Sequence, residues 1–261
     1  MVSLHSHLEE MKRETSNLQH RTSNAQSLRK WLAIGCSMLG VGRWMFCLCF
    51  AVNIFAADTD ALLTRWLNSQ TNIQTWSADF TQTRMLKSLT QPLLASGRVW
   101  FVEPDRFRWE LGSPPQTIAI RNDDAMKIIY PKLKRAEVYP LNNSEAGQWR
   151  DALALLQAGF PRNRTELESQ FRILSGTVAN QNCEVTLQPK STAARRMMPQ
   201  IKIAFRTNDF SLCATELQFA DGSTMRNDFT NATLNLKFDE TLFAPQIGTD
   251  FKIIEPLKKT P

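Results

Sequence analysis

Residues 97–141 read GRVWFVEPDRFRWELGSPPQTIAIRNDDAMKIIYPKLKRAEVYPL, and this stretch decides the fold. Apolar residues recur with a period of two. Val99 and Phe101 lie opposite Trp100 and Val102, and Phe107, Trp109 and Leu111 lie opposite Arg106, Arg108 and Glu110. Further pairs follow at Ile118 and Ile120, Met126 and Ile128, and Ala136 and Val138. Turn formers separate the runs: Glu103-Pro104-Asp105, Ser113-Pro114-Pro115 and Asn122-Asp123-Asp124. Short alternating runs punctuated in this way spell an antiparallel meander.

Working outward, Trp76, Ala78 and Phe80 share one face of a preceding strand. Before it, DTDALLTRWLNSQ (58–70) puts Leu62, Leu63, Trp66 and Leu67 on one helical face, with Asp58 or Thr59 as N-cap. After the meander, EAGQWRDALALLQAGF (145–160) places Trp149, Ala152, Leu153, Leu156 and Phe160 on a second helical stripe, closed by Gly159 and Pro161. A stretch without clear period follows. Strands then resume at CEVTLQPK, PQIKIAF, SLCATELQFADG, STMRNDFT and FKIIEP. The expectation is a mainly β chain with helices (α+β), about ten or eleven strands, in one domain over 57–261. So many strands must curl, stack or close. Apolar groups on both faces of several strands fit a sandwich, or a curved sheet whose concave face is apolar and plugged by helices.

Composition narrows the function. The 261 residues are 43% hydrophobic and 21% charged, ordinary globular usage. The net charge is +6, falling to +3 over 57–261, too mild for the dense basic stripe of a nucleic-acid binder. His5, His7 and His20 all precede residue 57, so the rest of the chain has no imidazole. That removes Ser-His-Asp and Cys-His devices and leaves only thiolates and carboxylates for zinc. No Gly-x-Ser-x-Gly elbow, Gly-rich phosphate loop or Cys/His metal spacing is present. The scattered carboxylates leave a sugar-cleaving pair open. The expectation is a monomer with no catalysis, cofactor, metal or nucleic acid.

Residues 1–56 read as a leader. Arg29-Lys30 precedes WLAIGCSMLGVG, Arg43 and WMFCLCFAVNIFA, ending in Ala56-Ala57. A basic start, an apolar run and small residues mark an export signal. Either Arg29-Lys30 opens it, or translation begins at Met38 with Arg43 as the basic start. Cys183 and Cys213 then remain. With one strand between theirs, a simple meander sets them about 9–10 Å apart, beyond the ~7 Å limit for a disulfide, so two buried, unpaired thiols are expected.

The stretch 97–141 also resembles the outer-membrane lipoprotein carrier protein family (LolA). The shared features are Gly97, Pro104, Phe107-Arg108-Trp109, Pro114, Pro131 and Val138-Tyr139-Pro140-Leu141, with ADFTQTR (78–84) upstream and LFAPQIGTDFKIIEP downstream. The resemblance implies a half-open antiparallel β-barrel with helices as a lid over an apolar cavity. It further implies a periplasmic carrier that holds lipoprotein acyl chains, accepts them from an inner-membrane ABC transporter (LolCDE-like) and passes them to an outer-membrane receptor (LolB-like). The expected lining is Phe80, Trp100, Phe107, Trp109, Ile118, Ile120 and Ile128 from strands, with Trp66, Trp149, Leu153 and Leu156 from helices. Two departures stand out. Glu103 occupies a position usually basic in the family and tied to lid closure, and Lys134-Arg135 replaces an acidic-Gln pair. Such a swap preserves an ion pair or marks a paralogue. A paralogue carrying another lipid and a lipid-sensing regulatory module are the alternatives. Arg195-Arg196 is a candidate for lipid headgroups or a partner, or a solvated pair.

Overall fold

The computed structural model describes residues 54–104, 106–122, 125–141, 161, 163–245 and 247–256; side chains are described from residue 58. The elements in chain order are α1 (Ile54–Gln70), β1 (Thr75–Met85), β2 (Leu93–Val102), β3 (Arg106–Leu111), β4 (Thr117–Arg121), β5 (Ala125–Tyr130) and β6 (Arg135–Pro140). Then come α2 (Arg164–Gln170), β7 (Phe171–Ala179), β8 (Asn182–Pro189), α3 (Thr192–Met197), β9 (Gln200–Arg206), β10 (Leu212–Gln218), β11 (Thr224–Leu234) and β12 (Lys252–Ile254). The expected helix over 145–160 lies outside the described residues. None of the described helices is long and apolar enough to cross a membrane.

All twelve strands form one open sheet in the order β12-β6-β5-β4-β3-β2-β1-β11-β10-β9-β8-β7. β1 is the seam. The meander β2–β6 grows from one side of it and the meander β11–β7 from the other, all antiparallel, while β12 adds parallel to β6. The strand missing from the sequence reading is β7. A register shift between Ile173 and Ser175 breaks its alternation, and Leu174 is left exposed there. Helices α2 and α3 are only seven and six residues long, too short to show a helical period. α1 starts at Ile54, so Asp58 and Thr59 lie inside the helix and are not its N-cap. Thr59 instead lies against the edge strand, where a Cβ on Gly176 would come 2.0 Å from its methyl group.

The wrapping of the sheet follows from its core. One cluster joins Val99 and Phe101 of β2 to Val185 and Leu187 of β8, through Phe80, Phe229, Leu217, Ile201, Ile203 and Phe205, with Leu63, Trp66 and Leu67 of α1. Strands so far apart in the sheet order share one core only because the sheet curls around the helix. The expected face of α1 is borne out: Leu63, Trp66 and Leu67 are buried and Leu62 packs beside them.

The opposite, convex face has two characters. Over β8–β11 it is ionic: Lys202 Nζ lies 3.5 Å from both Glu184 and Glu216, and Arg226 Nε lies 2.9 Å from Asp228. Pairs this exposed contribute about 0–1 kcal/mol each. Over β3–β6 it is apolar and covered by the chain's own C-terminal segment. Arg108 Nη1 donates to Leu242 O at 2.9 Å, Phe243 is buried, and Ile247 and Phe251 pack on Ile118, Ile120, Ile129 and Ala136.

Gly97 marks where the seam is tightest. A Cβ there would come 2.2 Å from Glu110 O and 2.3 Å from the Phe80 ring. Gly97→Ala is expected to lower the unfolding free energy by about 1–3 kcal/mol in a urea titration, the usual cost of overpacking. An unchanged midpoint would show that β2 and Phe80 separate freely.

Candidate functional site

The two-residue period of each strand assigns its side chains to faces, and the register links them from strand to strand. On the concave face Phe80 is level with Gly97 of β2 and Phe229 of β11, Val99 is level with Trp109, and Phe101 with Phe107. The result is an aromatic cluster across the seam. Phe80 and Trp109 have ring centroids 4.2 Å apart, Phe80 and Phe229 6.4 Å, Trp109 and Phe229 6.3 Å, and Trp76 and Phe229 5.2 Å edge-on. Trp109 and Phe107 are half-buried, whereas Phe80 and Trp76 are buried. Beyond Phe107, a smaller cluster of Met126, Tyr139, Ala119 and Ile128 continues the apolar surface.

The helix closes the other half. Trp66 stacks on Phe205 of β9 at 5.0 Å and 8°. It is fully buried, yet its indole N–H has no hydrogen-bond partner among the described residues. An orphaned buried donor costs about 1–3 kcal/mol. The contact between helix and sheet is therefore mainly apolar and carries an unsatisfied polar group, with Arg65 over the Phe210 ring at its margin, 4.9 Å away.

Toward the β1–β2 hairpin the concave face turns polar. Gln82 Nε2 donates to Asn227 Oδ1 at 3.0 Å, Asn227 Nδ2 to Thr215 Oγ1 at 3.3 Å, and Arg84 Nε to Gln82 Oε1 at 2.7 Å. Burial pulls the Arg84 guanidinium below its usual pKa, with the Tyr130 ring group acting the other way. On the far half, Arg135 lies over the Tyr130 ring at 4.6 Å and 3.3 Å from Glu137, which accepts from Tyr139 Oη at 2.6 Å. The concave surface is thus greasy in the middle and hydrogen-bonding at one end.

The nominated lining residues are parted by the sheet. Phe80, Phe107, Trp109 and Ile128 face the concave side, and Trp66 reaches it from α1. Trp100, Ile118 and Ile120 are out of phase with them and face the convex side. Trp100 lies beside Arg98 at 5.3 Å, and Ile118 and Ile120 lie beneath the C-terminal segment. Trp149, Leu153 and Leu156 lie outside the described residues. The sequence reading missed Phe205 and Phe229, although both sit in alternating runs it had recognised as strands. The swapped charges do not face one another. Glu103 follows β2 at one end of the sheet, while Lys134 and Arg135, at the other, lie 2.8 Å from Asp250 and 3.3 Å from Glu137.

Cys183 is buried and free, its thiol pushed up to about 11 chiefly by burial. Cys213 is also free, two strands away in the sheet order, but it is only half-buried, contrary to the expectation of two buried thiols, and its Sγ–H donates to Ala204 O at 3.2 Å. The described residues contain a cleft of about 240 Å³ near the start of β1, lined by Gln70, Ile73, Phe101, Glu103 and Asn163. That is below the ~300–1,000 Å³ of ordinary ligand pockets. In the middle of the concave face Trp76, Phe80 and Phe229 are buried, while Phe107 and Trp109 remain half-buried.

A curled, open, mainly antiparallel sheet around an apolar helix, with an aromatic concave face, defines an open half-barrel. The family profile of the outer membrane lipoprotein carrier protein LolA matches residues 71–246, and the chain belongs to that family. A relative named outer-membrane lipoprotein carrier protein in Coxiella burnetii (strain CbuK_Q154) is 25% identical over 209 residues, covering 76% of this chain and 89% of the relative. Among solved structures, an uncharacterised conserved protein from Thermus thermophilus aligns over 76% of this chain and 99% of its own at TM-score 0.44 and 9% identity. A LolA superfamily protein from Nitrosomonas europaea aligns over 73% and 97% at TM-score 0.38 and 7% identity.

Two stability measurements probe the helix contact. Trp66→Ala is expected to cost about 3–5 kcal/mol, as for a fully buried aromatic. Trp66→Phe should cost within about 1 kcal/mol, because the orphaned N–H leaves with the indole. Equal losses would mean that the N–H is satisfied in solution. Cys183 should remain unreactive toward a disulfide reagent at pH 8 until the protein is unfolded; rapid labelling of the native protein would contradict its burial.

Proposed function

We propose that this protein is a periplasmic carrier that holds the acyl chains of lipoproteins against the concave face of its half-barrel and catalyses nothing. In this reading residues 1–56 direct export, residues 57–261 form the working domain, and cargo passes from a LolCDE-like transporter to a LolB-like receptor. Family membership supports the class. The observation that carries the reading is the aromatic cluster of Phe80, Trp109 and Phe229 across the seam of the sheet, in one apolar core with helix α1.

The energetics explain why a cover is needed. A chain of ~15 methylenes gains about 12 kcal/mol on leaving water, at ~0.8 kcal/mol each. A carrier that left a matching surface bare would aggregate, and one with a permanent empty cavity would bind without release. Here Trp76, Phe80 and Phe229 on the concave face are already buried by the protein's own contacts. Uptake is an exchange, in which side chains of the cover give way to acyl chain, so only the difference between two apolar contacts appears as affinity. The unpartnered N–H of Trp66 weakens the closed side of that balance. The wall is assigned to Phe80, Phe107, Trp109 and Ile128, with Trp66 on the cover. Stiff aromatic rings suit this role because they present large areas at little entropic cost.

Native mass spectrometry of protein purified from a bacterial periplasm is expected to show retained acyl-bearing cargo. Trp109→Ala and Phe107→Glu should lower cargo occupancy at least about tenfold, given the ~1.4 kcal/mol that a tenfold change requires, with the far-UV spectrum unchanged. Full occupancy in both variants would contradict the assignment of the concave face. Loss of the native spectrum would mark these residues as plain core.

A further inference from the structure

Strand directions place several connections at one end of the sheet. The β1–β2 hairpin, the β5–β6 turn with its 3-10 helix Pro131–Leu133, the β8–β9 connection containing α3, and the β10–β11 turn all lie there. Their apolar residues are unusually bare. Leu94 is 68% exposed, Leu133 59%, Met85 48% and Leu93 37%. Interleaved with them are Lys87, Lys132 and Arg196, all exposed and without an ion pair among the described residues. Lys134 and Arg195 belong to the same end. Lys134 holds Asp250 at 2.8 Å, and Arg195 donates to the carbonyls of Pro189 and Lys190 at 3.2 and 3.4 Å. The acid in the β10–β11 turn, Asp221, is exposed at this end and accepts from Ser223 N at 2.9 Å. The opposite end is mixed: Leu234 and Leu236 are each 52% exposed there, next to Lys237, and its turns carry Glu103 and Asp209, the latter paired with Arg206.

We infer that the end of the half-barrel formed by the β1–β2 hairpin, the β5–β6 turn and α3 docks on a bilayer surface that carries anionic phospholipids. Three observations favour a bilayer as the occupant. The bare leucines stand on separate connections at a sheet end, so they form no groove into which a folded partner would fit. A fluid surface moulds around separated projections, and its headgroup boundary accepts apolar tips while water remains near the bases. The interleaved cations are of the sign that an anionic leaflet attracts, each adding to binding within a Debye length of the surface. Finally, Lys87, Lys132 and Arg196 have no ion-pair partner among the described residues, so their charge is available to the leaflet, whereas Lys134 and Asp250 at the same end neutralise each other. This inference is independent of cargo: a protein that carries nothing would still dock.

The test uses the full chain with vesicles of phosphatidylcholine alone or of phosphatidylcholine and phosphatidylglycerol at 7:3, read by hydrogen–deuterium exchange at short labelling times and by co-flotation. With the anionic vesicles, amide exchange in 86–94 and 132–134 is expected to slow at least threefold. Exchange in the turn at 207–211 should not change. Vesicles of phosphatidylcholine alone, or 0.5 M salt, should remove most of the effect. The double variant Leu93→Ser/Leu94→Ser should weaken co-flotation at least tenfold, and Lys87→Ala/Lys132→Ala/Arg196→Ala should abolish the preference for anionic vesicles. The altered side chains are exposed, and an unchanged thermal midpoint checks that folding is intact. Because the leader is present in every sample, the local exchange reading decides. Unchanged exchange at 86–94 despite flotation, or a serine variant that binds like the parent, would overturn the inference.

Discussion

The contact on which the rest depends is the packing of Phe80 against Trp109 over Gly97. β1 is the single strand shared by both meanders, so the two halves of the sheet meet at its side chains. The Phe80 ring fills the space that a side chain at Gly97 would take, which lets Trp109, one strand further on, approach to 4.2 Å. Phe229 closes the group from the opposite meander. Without a ring at Phe80 the two halves would meet only through Trp76 and Trp109 against Phe229, and the concave face would lose its stiff centre.

From that seam the two faces of the sheet take different partners. Over β7–β9 the concave face is covered by α1, and toward the β1–β2 hairpin it ends in hydrogen-bonding groups around Gln82, Asn227 and Arg84. The convex face over β3–β6 is covered by the C-terminal segment, which adds β12 parallel to β6. The second cover relies on Ile118, Ile120 and Ile129, so it is part of the permanent core. The first is a helix held by apolar contact, with an unsatisfied N–H in the middle of it. A cover of this composition can be replaced by another apolar surface at modest cost, and replacement of that kind is what acyl transfer demands.

Much of the fold was legible because local pattern and tertiary role coincide. The helix face at Leu63, Trp66 and Leu67, and the meander from Val99 to Val138, each bury the side that their period marks. Where they diverge, the reading failed. Trp100, Ile118 and Ile120 are as apolar as their neighbours, but the surface that buries Ile118 and Ile120 comes from Ile247 and Phe251, more than a hundred residues later. No local period reveals which of two apolar faces is the concave one. β7 was passed over because a bulge and Gly176 interrupt its alternation where the sheet edge meets Thr59 of α1. The charge reversal at Glu103 looked like half of an exchanged ion pair, and only the register shows that its supposed partners sit at the other end of the strands.

The most direct measurement is where a bound acyl chain touches the protein. A lipopeptide whose acyl chain carries a photoreactive diazirine at mid-length, irradiated in complex with the protein and mapped by peptide mass spectrometry, reads that contact residue by residue. Labelling concentrated on the inward positions of β1, β3 and β11, around Phe80, Trp109 and Phe229, is the predicted result. Labelling of Ile118, Ile120 and the C-terminal segment, with the aromatic cluster untouched, would contradict it.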